Sequence, residues 1–241
     1  MSLVVTVFVN EGIVMASDSR CTYNIMEKNT QQNTVVHKLG VHTNNSTIKT
    51  FLCPNNNGLS VCGEASIKGK PITGFIESFI RERISPDTDI DEVPQKIINY
   101  FGRLDPKPNA MFTIAGYHKN NEGNNLVQRV YKVRLQDGKI DKLNTETQGA
   151  TWEGESLTLT RLLQPVALKG RDGNYQDLPH SEIAWNFFTL QDAVDFCNYA
   201  IKTTIDTMHF QSVVETVGSP INTLVIKPEE SRWIAKQELH C

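Results

Sequence analysis

The run LVVTVFV at residues 3–9 consists almost wholly of β-branched and aromatic side chains, and NEG at 10–12 turns it into a second apolar run, IVMAS, at 13–17. Together they predict a β-hairpin. A second hairpin is predicted from TIKTFLC (47–53) and LSVCG (59–63), joined by the turn cluster PNNNG. The polar segment 22–46 between them reads as a loop with one short strand at 34–37. Helical spacing of apolar residues follows at 66–84 and 90–102, then strands at 111–118 and 126–135 and a run at 139–146. A short helix is expected at 154–163. The strongest helical pattern is 190–208, where Leu190, Ala193, Val194, Cys197, Ile201, Ile205 and Met208 share a face and Thr189 is the expected N-cap. Strands at 221–227 and 232–236 close the chain.

The order is strands, two helices, strands, two helices, strands. It lacks the steady βαβ alternation of a parallel doubly wound sheet. Paired hairpins interrupted by helix pairs predict an α+β fold, a four-layer α/β/β/α sandwich of two antiparallel sheets with helices on the outer faces. The expectation is a single domain over residues 1–241, with surface insertions near 22–46 and 164–188.

Composition narrows the partners. At 241 residues and 39% hydrophobic the chain can bury a sizeable core. A net charge of −3 gives no basic footprint for nucleic acid or for a membrane surface. No apolar run approaches the roughly 18 residues of a membrane span. The start has no Lys/Arg-led apolar segment of the signal-peptide kind. Cys21, Cys53, Cys62, Cys197 and Cys241 form no C-x-x-C pair, which fits reduced thiols and a cytoplasmic location. The six histidines show no metal-binding spacing, so no metal or organic cofactor is expected.

The second strand poses the chemical question, because GIVMA runs straight into Asp18 and Arg20. A strand finishing at the surface would end in such an ion pair. The alternative is a carboxylate held at the end of a buried strand to set another residue's charge. Lys49 divides in the same way, between a solvent-facing lysine on an alternating strand and a buried charge partner.

At these residues the chain resembles the proteasome-type N-terminal nucleophile hydrolases. VVTVFVNEGIVMASDSR is similar to that family's opening hairpin, with Asp18 sixteen residues after Ser2. TIKTFLCPNNNGLSVCGEAS is similar to its lysine strand and glycine segment, with Lys49 and Gly63 fourteen apart. The resemblance implies an amide (peptide) bond hydrolase whose nucleophile and amine base are Ser2, exposed by removal of Met1. Lys49 is then the charge partner, Asp18 the orienting carboxylate and Gly63 the oxyanion donor. Arg20, Ser156 in EGES and Glu215 are implied as supporting residues.

The chain departs from the family pattern in four places. Serine stands where threonine is usual, Met1 precedes it, and the interval before Lys49 is longer, with Lys38 as a rival lysine. Glu215 and VGSP replace the late Asp and Ser-Gly-Gly segment, so Gly218 offers no hydroxyl. The resemblance further implies a homo-oligomer, in a ring, acting on a peptide or small amide, and leaves an ATPase partner open. The alternatives are a catalytically inactive structural subunit and a small-molecule amidase.

Overall fold

The computed structural model describes residues 2–29, 34–104, 107–119 and 126–238. In chain order, β1 (Leu3–Val9) and β2 (Gly12–Ser17) form the opening hairpin, β3 (Cys21–Asn29) pairs with β4 (Thr34–Asn44), and β5 (Thr50–Leu52) with β6 (Gly58–Gly63). The two-residue strands β7 (Ser66–Ile67) and β8 (Lys70–Pro71) lead into α1 (Ile72–Arg83), and a 3₁₀ turn at Ile90–Glu92 leads into α2 (Val93–Phe101). Then come β9 (Ala110–Lys119), β10 (Leu126–Arg134), β11 (Lys139–Lys142) and β12 (Gly149–Gly154), followed by α3 (Leu157–Leu163). The exposed pair β13 (Ala167–Lys169) and β14 (Tyr175–Asp177), the long α4 (Leu190–His209), β15 (Asn222–Ile226) and β16 (Ser231–Ala235) complete the order.

Two five-stranded antiparallel sheets carry the fold. One runs β12-β1-β2-β15-β16 and the other β11-β10-β9-β6-β5. The near-continuous apolar character of β1 and β2 follows from burial on both faces. Leu3, Val5, Val7, Val9, Val14 and Ala16 pack with Ala193, Cys197, Ala200 and Ile201 of α4. Phe8, Ile13 and Met15 point the other way and, with Leu224 and Ile226, meet Ala115 and Val130 of the second sheet. That sheet turns Leu59, Val61, Phe112, Ile114 and Val133 toward Phe79 of α1 and Ile97 and Phe101 of α2. The period of two in strands thus serves both packing faces at once. The expected α+β class and its antiparallel sheets hold.

Several elements differ from the sequence expectation. Residues 22–46 are mostly β3 and β4, whose polar composition hides a two-stranded ribbon lying outside the two main sheets. The helix expected from residue 66 starts at Ile72, because the chain first pairs Ser66 with Pro71 and Ile67 with Lys70. The run at 139–146 ends as a strand at Lys142. Among the strands that the pattern missed, β12 pairs with Leu3–Phe8 of β1. Thr189 caps α4 as expected, in a reciprocal box with Asp192.

Candidate functional site

Asp18, the first residue after β2, is fully buried at the end of that strand. Its Oδ1 accepts hydrogen bonds from the Leu3 N–H at 3.0 Å and from Lys49 Nζ at 2.7 Å. Its Oδ2 accepts from the Arg20 and Gly218 N–H groups, each at 3.0 Å. Four donors from four segments fill the lone pairs of one carboxylate. An apolar strand runs into an aspartate here because three backbone amides and a buried ammonium converge on that point.

Lys49 immediately precedes β5 and is 3% exposed. Its carbonyl accepts from Val61 N, which extends the β5–β6 pairing across it. Its ammonium also donates to the Arg20 carbonyl. Burial pulls the lysine below its ordinary pKa, while the charge and hydrogen bond of Asp18 and the nearby thiols of Cys21 and Cys62 pull it back up. Lys38, the rival lysine, is exposed on β4.

Ser2 is 7% exposed and lies beside β12. Its carbonyl accepts from the Glu155 N–H at 2.8 Å. Gly154 is required for that approach, since it sits at φ +97° and a Cβ there would come within 1.8 Å of the Ser2 oxygen. Gly63 closes β6 at φ +107°, where a Cβ would meet the Asn109 carbonyl at 2.5 Å. Ser2, Lys49 and Gly63 line one narrow cavity of about 10 Å³, the room of about one water, with Ile48, Val61, Ala65 and Ile72 as its apolar wall.

The supporting residues fall in a second tier. Arg20 does not pair with Asp18 through its side chain. Its guanidinium instead meets Glu215 and donates to Asn45 Oδ1 at 2.9 Å, and only its main chain reaches Asp18 and Lys49. The bond from Arg20 and the His209 ring hold the Glu215 carboxyl below its ordinary range. Glu215 thus braces the corner that carries Arg20, and the same segment continues to the Gly218 amide on Asp18. Ser156 stands ahead of α3 without a side-chain capping bond and lines a neighbouring cavity with Gly63. Met1 lies outside the described residues.

The sequence reading overlooked Cys21 and Cys62 on the cavity wall, although both are direct neighbours of quoted motif residues. Gly218, expected to matter only for the hydroxyl it lacks, takes part through its main-chain N–H on Asp18. Among the described residues, one group has the geometry to hold a metal ion. The ligand atoms of Asp89, Asp91 and His118 lie within 4.8 Å of one another. His118 therefore sits in a polar network and not on a bland surface, and chain spacing could not reveal it because the partners are 29 and 27 residues away. Tyr131 donates to Asp91 at 2.7 Å, and Arg129 lies 3.4 Å from the same carboxylate.

No family model and no curated protein matches this chain. Solved structures do. Anbu (Gly-1) mutant from Hyphomicrobium sp. strain MC1 aligns with TM-score 0.58 and 13% identity over 98% of this chain and 87% of its own. Anbu from the same strain gives 0.55 and 12% over 98% and 88%. Anbu (ancestral beta-subunit) from Yersinia bercovieri gives 0.52 and 14% over 98% and 88%. The chain has the fold of Anbu. This corrects the family expectation. The likeness is to Anbu, described for Yersinia bercovieri as an ancestral beta-subunit, and the five-stranded sheets with few helices do not place the chain among the proteasome-type N-terminal nucleophile hydrolases. The quoted spacings measure strand and turn lengths, which a related fold keeps after sequence likeness has gone. Among the described residues no helix is long and apolar enough to cross a membrane.

Proposed function

We propose that this protein hydrolyses amide bonds, in a peptide or a small amide, with Ser2 as nucleophile after removal of Met1. The observation that carries the reading is Lys49 on the wall of the cavity that Ser2 and Gly63 share, its buried ammonium 2.7 Å from the Asp18 carboxylate behind it. Burying an ammonium and a carboxylate together is costly, and a surface strand end has no need of it. The split of each sheet between an outer helix and the opposite sheet supports the four-layer α/β/β/α order that this reading assumes.

In this mechanism the Ser2 hydroxyl attacks the substrate carbonyl and its proton passes to the chain's own α-amine. The lysine ammonium stabilises the charge developing on the hydroxyl oxygen, and Asp18 keeps that ammonium in place. The tetrahedral oxyanion accepts a hydrogen bond from the Gly63 N–H. Collapse expels the amine, which takes the proton back, and water then hydrolyses the Ser2 ester by the same steps. The reading carries with it a homo-oligomer, testable by sedimentation.

The test combines intact mass with labelling. The native protein should lack the mass of one methionine, and an acylating electrophile should form a single adduct that maps to Ser2. The adduct should disappear in Ser2→Ala and fall by at least about a hundredfold in rate in Lys49→Ala, on the scale of one lost catalytic group. A Met1-free protein that forms no adduct overturns the proposal and favours the inactive structural subunit.

A further inference from the structure

A groove of about 630 Å³ lies between α3 and the end of α4, with the segment that leaves α4 as its far wall. Its lining is mostly apolar. Leu157, Leu162, Val213 and Val214 form part of it and are 54%, 53%, 51% and 37% exposed. Phe210, the chain neighbour of the wall residue Gln211, is 86% exposed, and its ring meets that of His209. Large apolar side chains grouped in this way mark an interaction surface, whereas scattered single ones do not. Two charges stand in the same groove and do not answer each other. Arg161 has no ion pair among the described residues, and the Glu155 carboxylate takes a long hydrogen bond from Thr216 Oγ1 at 3.5 Å.

We infer that a second copy of this chain docks on this face across a twofold axis, with Phe210 of each copy in the groove of the other and Arg161 of each against Glu155 of the other. The inference rests on the homo-oligomer of the hydrolase reading and not on its chemistry. A twofold interface sets the same patch on both sides, so the patch must be complementary to itself. This one holds a hollow beside a protruding aromatic ring, and one charge of each sign, so its own copy matches it in shape and in charge. An acidic partner would meet Glu155 and a basic one would meet Arg161, each facing its like. A small apolar molecule would fill the groove and leave Phe210 and both charges unanswered. Aromatic rings and arginines are also the side chains that anchor interfaces most often.

Sedimentation of the full chain tests the face. The native protein should self-associate. Arg161→Glu sets acid against acid at both contacts and Glu155→Lys sets base against base, so each should weaken association at least about tenfold. Mixed in equal amounts, the two variants should associate with each other. The new acid of one then faces the new base of the other, while the native Arg161 and Glu155 face each other at the second contact. Such recovery cannot come from variants that fail to fold. Phe210→Ser should weaken association about tenfold by itself, on the scale of one aromatic anchor. Variants that associate like the native chain, or a mixture that does not recover, overturn the face. A native chain that stays monomeric, and whose uptake of anilinonaphthalene sulfonate is lost in Leu162→Asp, overturns the second copy in favour of a small apolar ligand. Labelling of Ser2 separates this outcome from the chemistry. A labelled monomer keeps the hydrolase and loses the face with the homo-oligomer, whereas an assembly that obeys the charge exchange but never labels keeps the face and loses the hydrolase.

Discussion

Two clusters in this molecule gather carboxylates and cations from distant segments, and they are built in opposite ways. At Asp18 the carboxylate is fully buried, three of its four donors are backbone N–H groups, and the fourth is a lysine 3% exposed. At Asp89 and Asp91 the main partners are the side chains of His118, Arg129 and Tyr131, and both carboxylates are about one-third exposed. Backbone donors are fixed by the strands and turns that carry them and cannot rotate away. Side-chain partners must be held by their rotamers, at an entropy cost, and water can replace them. A charge that the fold cannot release differs in its consequences from one that the solvent can answer.

The largest effect should therefore come from Asp18→Asn. Asparagine keeps the shape but turns two N–H donors toward a site that already contains four, so either the Leu3–Lys49 side or the Arg20–Gly218 side loses its acceptor. It also strands a buried ammonium. The expected loss is about 3–5 kcal/mol of stability, measured by urea unfolding, with loss of Ser2 labelling. Lys49→Met removes the ammonium that Asp18 answers, so Asp18→Asn combined with Lys49→Met should lose less than the sum of the two. Additivity in that cycle would mean the two groups are not coupled.

That cluster was legible in the sequence for a physical reason. Asp18, Lys49 and Gly63 sit at the ends of short, strongly apolar strands whose turn lengths fix where the strand ends fall. What was not legible depends on pairing between distant segments. GATWEG has two glycines and little alternation, and only its register on β1 makes it a strand. The polar ribbon β3–β4 lies in neither main sheet, so hydrophobic periodicity leaves no mark on it. Arg20 read as the partner of Asp18 because the two are near neighbours in the chain. The fold instead sends its guanidinium 195 residues along the chain, to Glu215.

A middle-sized effect sharpens the contrast through pH. Burial pushes the thiols of Cys53 and Cys62 up to about 12, and pushes Cys197 up as well. An unfolded thiol ionises near 8.5, so between about pH 9 and 12 the unfolded chain releases protons that the folded chain keeps, and stability falls. Lys49 acts with the opposite sign. Its folded pKa lies below the unfolded one, so as pH rises toward the ordinary lysine value its contribution improves. The expected melting temperature declines across that window, less steeply in Cys62→Ala and more steeply in Lys49→Met. Equal slopes in all three proteins would show that the cavity's buried groups do not titrate with folding.

The smallest effect belongs to the exposed cluster. His118→Asn removes the ring that bonds Asp89 at 2.8 Å, but Asp89 still caps the 3₁₀ turn through the Asp91 N–H at 2.7 Å, and Asp91 keeps Tyr131 and Arg129. Both carboxylates can complete their shells with water. The expected cost is about 0–1 kcal/mol, seen as a shift in melting temperature of no more than about 4 °C for a chain of this size. Added salt should shrink it further, because the charges face solvent. A loss as large as that of Asp18→Asn would show that exposure does not separate the two clusters, and the backbone donors at Asp18 would then carry no special weight.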